Sequence, residues 1–257
     1  YTNINLGDAP SAADAAFLGA LAAQTQSAAI SDADAISRVI ELYATDTTKV
    51  AIATYQYFTG TAPSAAGLKF LVGGDSNETG ANANTTDLND AFYAQFNQEN
   101  RFYNFAANLA LGSTSAPAVR ATYGTLSYDD AVDLAYEQIV GSAAAANAGV
   151  DVSAAKTYLK SDAVENYLAA RAAELLPTET PGYAKNVLLI GFLLNEAIRA
   201  DVGRYADATD QMVRDLLLDG TLNNPAAQDL FTAYPPTGNP DVPQFTITDE
   251  TAAGGDV

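Results

Sequence analysis

The chain has 257 residues, 31 acidic against 12 basic, and contains no Cys, His or Trp. Nucleophilic machinery of the Ser/His/Asp or Cys/His kind cannot be assembled from it, and zinc or iron would lack their usual ligands, which leaves oxygen-bound hard cations such as calcium or magnesium. A formal charge of −19 repels nucleic acid and anionic membrane surfaces alike, so no nucleic-acid partner is expected; the acidic surface suits either divalent cations or solubility outside the cell.

Ala is the commonest residue and Leu is frequent, whereas Val and Ile are scattered singly, which favours helices over strands and an all-α class. From the start of the chain, Tyr1-Thr2-Asn3 shows neither a basic region nor an apolar signal core, so export is expected to use another signal or a segment outside this sequence. Gly7-Asp8-Ala9-Pro10-Ser11-Ala12-Ala13 returns as Gly60-Thr61-Ala62-Pro63-Ser64-Ala65-Ala66, matching at six of seven positions. In such a joint Gly closes one helix in a left-handed conformation, Pro blocks its continuation and Ser caps the next. Ser31 with Asp34 has capping-box spacing. Gly73 to Thr86, rich in Gly, Asn, Asp and Thr, is too long for a plain connector and reads as a binding loop or an elaborated surface loop.

Farther along, Phe102, Phe105, Ala106 and Leu109 share one helical face, as do Val132, Ala135, Tyr136 and Ile139. Ser127 with Asp130 repeats the capping spacing, and Asp162 with Glu165 opens another helix. Tyr136 to Gly141 echoes the helix end at Tyr55 to Gly60 without the Pro, either as a third joint or as a coincidence of Ala-rich sequence. Asp151, after Gly149, is a helix N-cap or a cation ligand. Val187 to Leu194 is apolar on every face but is interrupted by Gly191 and followed by Asn195 and Glu196, so it predicts a buried core helix and no transmembrane segment. About eleven or twelve short helices are expected in a compact multi-helix domain over residues 1–233. An extended linker follows over 234–257, beginning at Tyr234-Pro235-Pro236 and containing the alternating Phe245-Thr246-Ile247-Thr248. Its Gly254-Gly255-Asp256 is the opening of a calcium-binding glycine-rich repeat or an ordinary turn, and the linker predicts the start of a β-rich, calcium-binding region.

The order of several blocks resembles the N-terminal domain of the Caulobacter-type S-layer protein family. These blocks are Ala51 to Gly60 continuing into Ala62 to Leu68, Asp87 to Ala91 continuing to Gln98-Glu99-Asn100-Arg101-Phe102, Ala148 to Val152, and Leu230 to Pro235. The resemblance extends from Tyr1 to about Pro235 and is weaker between Leu176 and Asn224. It implies a secreted, non-catalytic domain at the bacterial cell surface, outside the outer membrane, exported by type I secretion. Its implied partners are lipopolysaccharide O-polysaccharide and neighbouring S-layer subunits, with calcium as the bound ion.

For glycan binding, the strongest candidates are Tyr93, Gln95, Asn97, Gln98, Asn100, Arg101 and Asn104, because sugars are held by aromatic faces with planar amide and guanidinium groups. The alternative is that Phe92, Phe96, Phe102 and Phe105 are core and the amides cap a break between helices. Asp75, Asn77, Glu78, Asp87 and Asp90 could supply oxygens to calcium, without EF-hand spacing, or be a solvated loop followed by helix caps. Two other functions compete: a structural lattice or adhesin module without a sugar site, and a carboxylate-pair polysaccharide hydrolase, which has no distinctive acid pair in its favour.

Overall fold

The computed structural model describes residues 10–43, 48–73, 97–219 and 229–236, and these form an all-α domain. Thirteen helices lie among the described residues: α1 (Ala12–Gln26), α2 (Asp32–Tyr43), α3 (Thr48–Thr59), α4 (Ala65–Gly73), α5 (Gln98–Gly112), α6 (Ala116–Tyr123), α7 (Tyr128–Ile139), α8 (Ser142–Asn147), α9 (Val152–Leu159), α10 (Asp162–Leu175), α11 (Pro181–Ala200), α12 (Arg204–Asp219) and α13 (Leu230–Ala233). The expected number is exceeded because α8 and α13, of six and four residues, are too short for apolar periodicity to reveal. The Gly73 to Thr86 loop and the strand-like Phe245 to Thr248 lie outside the described residues.

Helix α11 is the axis of the domain. Pro181 at its first position has no N–H to leave unsatisfied, and Asp201 ends it in the left-handed conformation at φ 53°. Sixteen of its twenty residues are buried, including every residue from Val187 to Leu194. Burying one large aliphatic or aromatic side chain contributes about 1.5–3 kcal/mol, so covering this run is a dominant local term. The cover is supplied by α5, α10, α7, α3, α6 and α12. Helix α5 comes closest at Gly191, where an added Cβ would stand 3.1 Å from the Phe102 carbonyl oxygen and 3.3 Å from Ala106 Cβ. Two buried side chains of α11 donate to backbone carbonyls of its neighbours. Asn186 Nδ2 donates to the carbonyls of Tyr123 at 3.0 Å and Leu126 at 3.3 Å, and the Tyr183 hydroxyl donates to the Ala110 carbonyl at 3.2 Å.

The joints follow the capping chemistry. Gly60 stands at φ 76° and donates to the Gln56 carbonyl, while Ser64 Oγ accepts from Gly67 N–H at 3.1 Å. In the other copy Ser11 caps α1 reciprocally with Asp14, and Gly7 lies outside the described residues. Gly141 is also left-handed, at φ 79°, so the echo from Tyr136 to Gly141 extends to the backbone. There Pro and Ser are replaced by a carboxylate: Glu137 accepts from Ser142 N–H at 3.1 Å, from the Ser142 hydroxyl, and from Lys156 Nζ at 2.9 Å. Ser31 with Asp34 forms both halves of a capping box, and Ser127 and Asp151 cap α7 and α9.

Two consequences are measurable. Ile190→Asp places an unpaired charge at a fully buried point of α11, and the helical circular dichroism signal is expected to be lost at room temperature. Glu137 is held down to about 2 from its ordinary 4.5 by the Ser142 hydroxyl, then by Lys156 and the Ser142 N–H. A depressed carboxyl stabilises the fold above its ordinary value and loses that contribution as pH falls from 4.5 through about 2. The side chain is about half exposed, which keeps the effect small. Acid unfolding of Glu137→Gln should therefore show a shallower decline in that window than the parent; identical slopes would remove Glu137 from the joint.

Candidate functional site

Helix α5 begins at Asn97, whose side chain accepts from Asn100 N–H at 2.8 Å. The first two turns bring Gln98, Asn100, Arg101 and Asn104 together, but much of their polar capacity is spent internally. Asn104 Nδ2 donates to the Asn100 carbonyl at 2.8 Å, and Asn100 Oδ1 accepts from Arg171 Nη2 of α10 at 2.6 Å. Gln98 has a buried Nε2 with no hydrogen-bond partner among the described residues. Arg101 lies on the buried side of the helix beside Phe102. Glu99 accepts from the hydroxyls of Tyr103 at 2.5 Å and Tyr167 at 2.8 Å, tying α5 to α10; burial, then the Glu99 hydrogen bond, pushes the Tyr167 hydroxyl up to about 12. Of the sugar candidates among the described residues, Asn97 alone is exposed, and it serves as a cap. Tyr93 and Gln95 lie outside the described residues, as do all five candidate calcium ligands, Asp75, Asn77, Glu78, Asp87 and Asp90.

A second constellation is assembled by four separate helices. The C-terminal end of α3 (Tyr57, Phe58, Thr59, with Gly60), one face of α6 (Ala118, Val119, Thr122, Tyr123), Gln138 of α7 and the start of α12 (Arg204, Tyr205) line an open cleft of about 370 Å³, with Ser115 at its edge. The Tyr57 and Tyr123 hydroxyls are hydrogen-bonded to each other, and both lie within hydrogen-bond reach of Gln138 Oε1, at 2.7 and 2.9 Å, so two phenolic hydrogens serve three contacts. With its oxygen facing the two phenols, the Gln138 amide is oriented by the network, and its Nε2 points elsewhere.

Arg204 stands at the other wall. Its Nε donates to the Gln138 carbonyl at 3.0 Å, and its guanidinium lies 4.4 Å from the Phe231 ring centre and 5.5 Å from that of Tyr205. Tyr205 meets Phe231 edge to face at 5.0 Å and Tyr57 at 5.9 Å. Phe231 itself is fixed because buried Gln56 donates to Asp229 Oδ1 and accepts from Leu230 N–H, each at 2.9 Å, clamping α13 onto α3. Burial raises all three phenols: Tyr57 well above its ordinary value, with the neighbouring Tyr123 adding to the effect, Tyr123 to about 12, and Tyr205 higher still. They are neutral at physiological pH.

Arg204 is the sole charged residue in the cleft wall. A carboxylate-pair hydrolysis needs two acids flanking a bond, and calcium needs several oxygens with negative charge; this wall supplies neither. Among the described residues no three acidic side chains converge on a metal-sized site, and no helix is long and apolar enough to cross a membrane. The cleft escaped sequence reasoning because its walls come from segments up to about 150 residues apart, although Tyr57 and Gln138, which bond each other, occupy matching places in the Tyr55–Gly60 and Tyr136–Gly141 echo.

The described residues thus form an all-helical domain with one aromatic-lined cleft between four of its helices. Residues 47–241 match the family model described as the RsaA N-terminal domain, and the chain belongs to that family, whose setting is the S-layer at the cell surface. The match starts after α2. No curated protein matches the chain.

Arg101→Ala is expected to lower stability by more than about 1 kcal/mol, since it removes a buried cation and the packing of its stem. Thermal melting checks this: an unchanged midpoint would mean that the guanidinium contributes nothing to the α5 core.

Proposed function

We propose that this domain anchors an S-layer lattice to the outer membrane by binding the O-polysaccharide of lipopolysaccharide without cleaving it. The observation that carries the reading is the cleft between α3, α6, α7 and α12, where phenol faces, an oriented amide and an acid-free guanidinium stand together on a domain of an S-layer family. Aromatic rings pack against the C–H faces of sugar rings while planar donors take the ring substituents, so this is glycan-binding chemistry. The exposed α5 start around Asn97 offers a further weak contact for a polymer that presents the same unit repeatedly. One weak site per copy suffices when hundreds of copies are held in one lattice, because avidity multiplies modest affinities.

Calcium belongs to the same proposal. A chain of net charge −19 gains from a divalent ion that offsets its charge, and Asp75, Asn77, Glu78, Asp87 and Asp90 remain its candidate ligands. Neighbouring subunits are the other partners, and a calcium-binding β-rich region beyond residue 234, exported by type I secretion, completes the picture.

Calorimetric titration with smooth lipopolysaccharide and with its O-chain-deficient counterpart, each with millimolar calcium or with chelator, tests this directly. Binding to the smooth form alone, stronger with calcium and without release of reducing ends, is expected. Equal binding to both forms, or to neither, would favour a structural lattice module instead.

A further inference from the structure

Residues 229–236 are tied to two helices at once. On the α3 side, buried Gln56 donates to Asp229 Oδ1 and accepts from Leu230 N–H, each at 2.9 Å, so one amide holds both a side chain and the backbone. On the α12 side, Phe231 meets Tyr205 edge to face at 5.0 Å, the Tyr234 hydroxyl donates to Asp215 Oδ2 at 2.7 Å, and Gln211 Nε2 donates to the Pro235 carbonyl at 3.0 Å. Leu230 is fully buried. A helix of four residues, as α13 is, has no stability of its own, so these tertiary contacts are what hold it.

The same two helices supply walls of the cleft. Gln56 is followed on α3 by Tyr57 and Phe58, which line it, and Phe231 packs on Tyr205 and lies 4.4 Å from the Arg204 guanidinium, which line it from α12. The anchors farther along α12, Gln211 and Asp215, lie outside the cleft wall. We infer that residues 229–236 are a strap that couples the cleft to the chain beyond Pro236. While α13 is docked, Phe231 backs Arg204 and Tyr205 where they meet Gln138 and Tyr57. A displacement of the chain beyond Pro236 reaches the Pro235 and Tyr234 anchors first, then frees Phe231 and loosens that wall. Docked and undocked states differ in these contacts, and such a difference is what lets one end of a domain bias another. That the pull arises in a lattice rests on the anchor reading; the coupling itself does not.

The test uses the 257-residue chain and changes one end of the strap while reading the other. Tyr234→Phe combined with Gln211→Ala removes both anchors remote from the cleft and keeps the buried ring. Hydrogen exchange of the Ala233 and Tyr234 amides, which donate to the Asp229 and Leu230 carbonyls, should then quicken by about tenfold or more. At the cleft, the Arg204 Nε and Gln138 side-chain resonances in nitrogen-15 spectra should move towards their free-amino-acid positions. From the other side, Arg204→Ala takes the cation away from Phe231 and should speed exchange of the same two amides, because coupling is reciprocal. Melting close to that of the parent shows that the core is intact; should the double variant melt early, Gln211→Ala alone, at a partly exposed position, gives the same pattern with smaller changes. Strap amides that quicken while both cleft resonances stay in place would overturn the coupling, as would amides that exchange as in the parent once both anchors are gone. Failure of smooth lipopolysaccharide to bind, with the coupling intact, would instead remove the anchor reading and leave the strap standing.

Discussion

Helix α11 lacks a solvent face along most of its length, and the arrangement of the other helices follows from the need to cover it. A helix that is apolar all round cannot rest on one neighbour, so six helices converge on it from different directions. Their approach is limited by side-chain bulk, and the closest crossing occurs where Gly191 contributes none. The end of the helix is under the same constraint. Gly203, at φ 91°, lies so close to the α7 terminus that a Cβ would meet the Val140 carbonyl oxygen at 2.6 Å and that of Ile139 at 2.8 Å. Only glycine satisfies both the backbone sign and the space.

That close approach bears directly on the cleft. Because Gly203 presses against the end of α7, the next residue, Arg204, arrives beside the Gln138 carbonyl and bonds to it. Tyr205 follows and closes the aromatic wall against Phe231 and Tyr57. Core packing therefore sets where Arg204 stands relative to Gln138. The tyrosine pair works in the same way from the other side, since its hydroxyls hold an amide that would otherwise rotate. Placing binding groups on helices whose own positions are set by a dry core is what keeps such a site preorganised.

Much of the fold was legible because its signals are local. Ser31 with Asp34, Ser127 with Asp130 and the Gly-x-x-Pro-Ser joint at Gly60 each operate within a few residues, and the apolar run from Val187 to Leu194 announces its burial by composition alone. Arg101 shows where that reading stops. Amide, Arg and aromatic side chains adjacent in sequence around Tyr93 to Asn104 suggested a shared surface, but successive helical residues point about 100° apart, and Arg101 turns inward while Asn97 stays outside. The cleft is the converse case. Tyr57, Tyr123, Gln138 and Arg204 carry no common local signal, and their meeting depends on how α3, α6, α7 and α12 pack around α11. The faint echo between Tyr55–Gly60 and Tyr136–Gly141 pointed at two of them, because equivalent helix ends with left-handed glycines deliver equivalent positions to the same place.

The electrostatics of the domain sharpen the role of that place. With 31 acidic side chains the surface is hostile to anions at long range, yet the cleft lined by Arg204 and Gln138 has no acid in its wall. Long-range repulsion is screened beyond about 8 Å at physiological ionic strength, whereas hydrogen bonds in a partly enclosed cleft are not. No group in the wall titrates near neutrality, since His is absent and the phenols are raised by burial. The phenols of the wall therefore keep their protons through small changes of external pH.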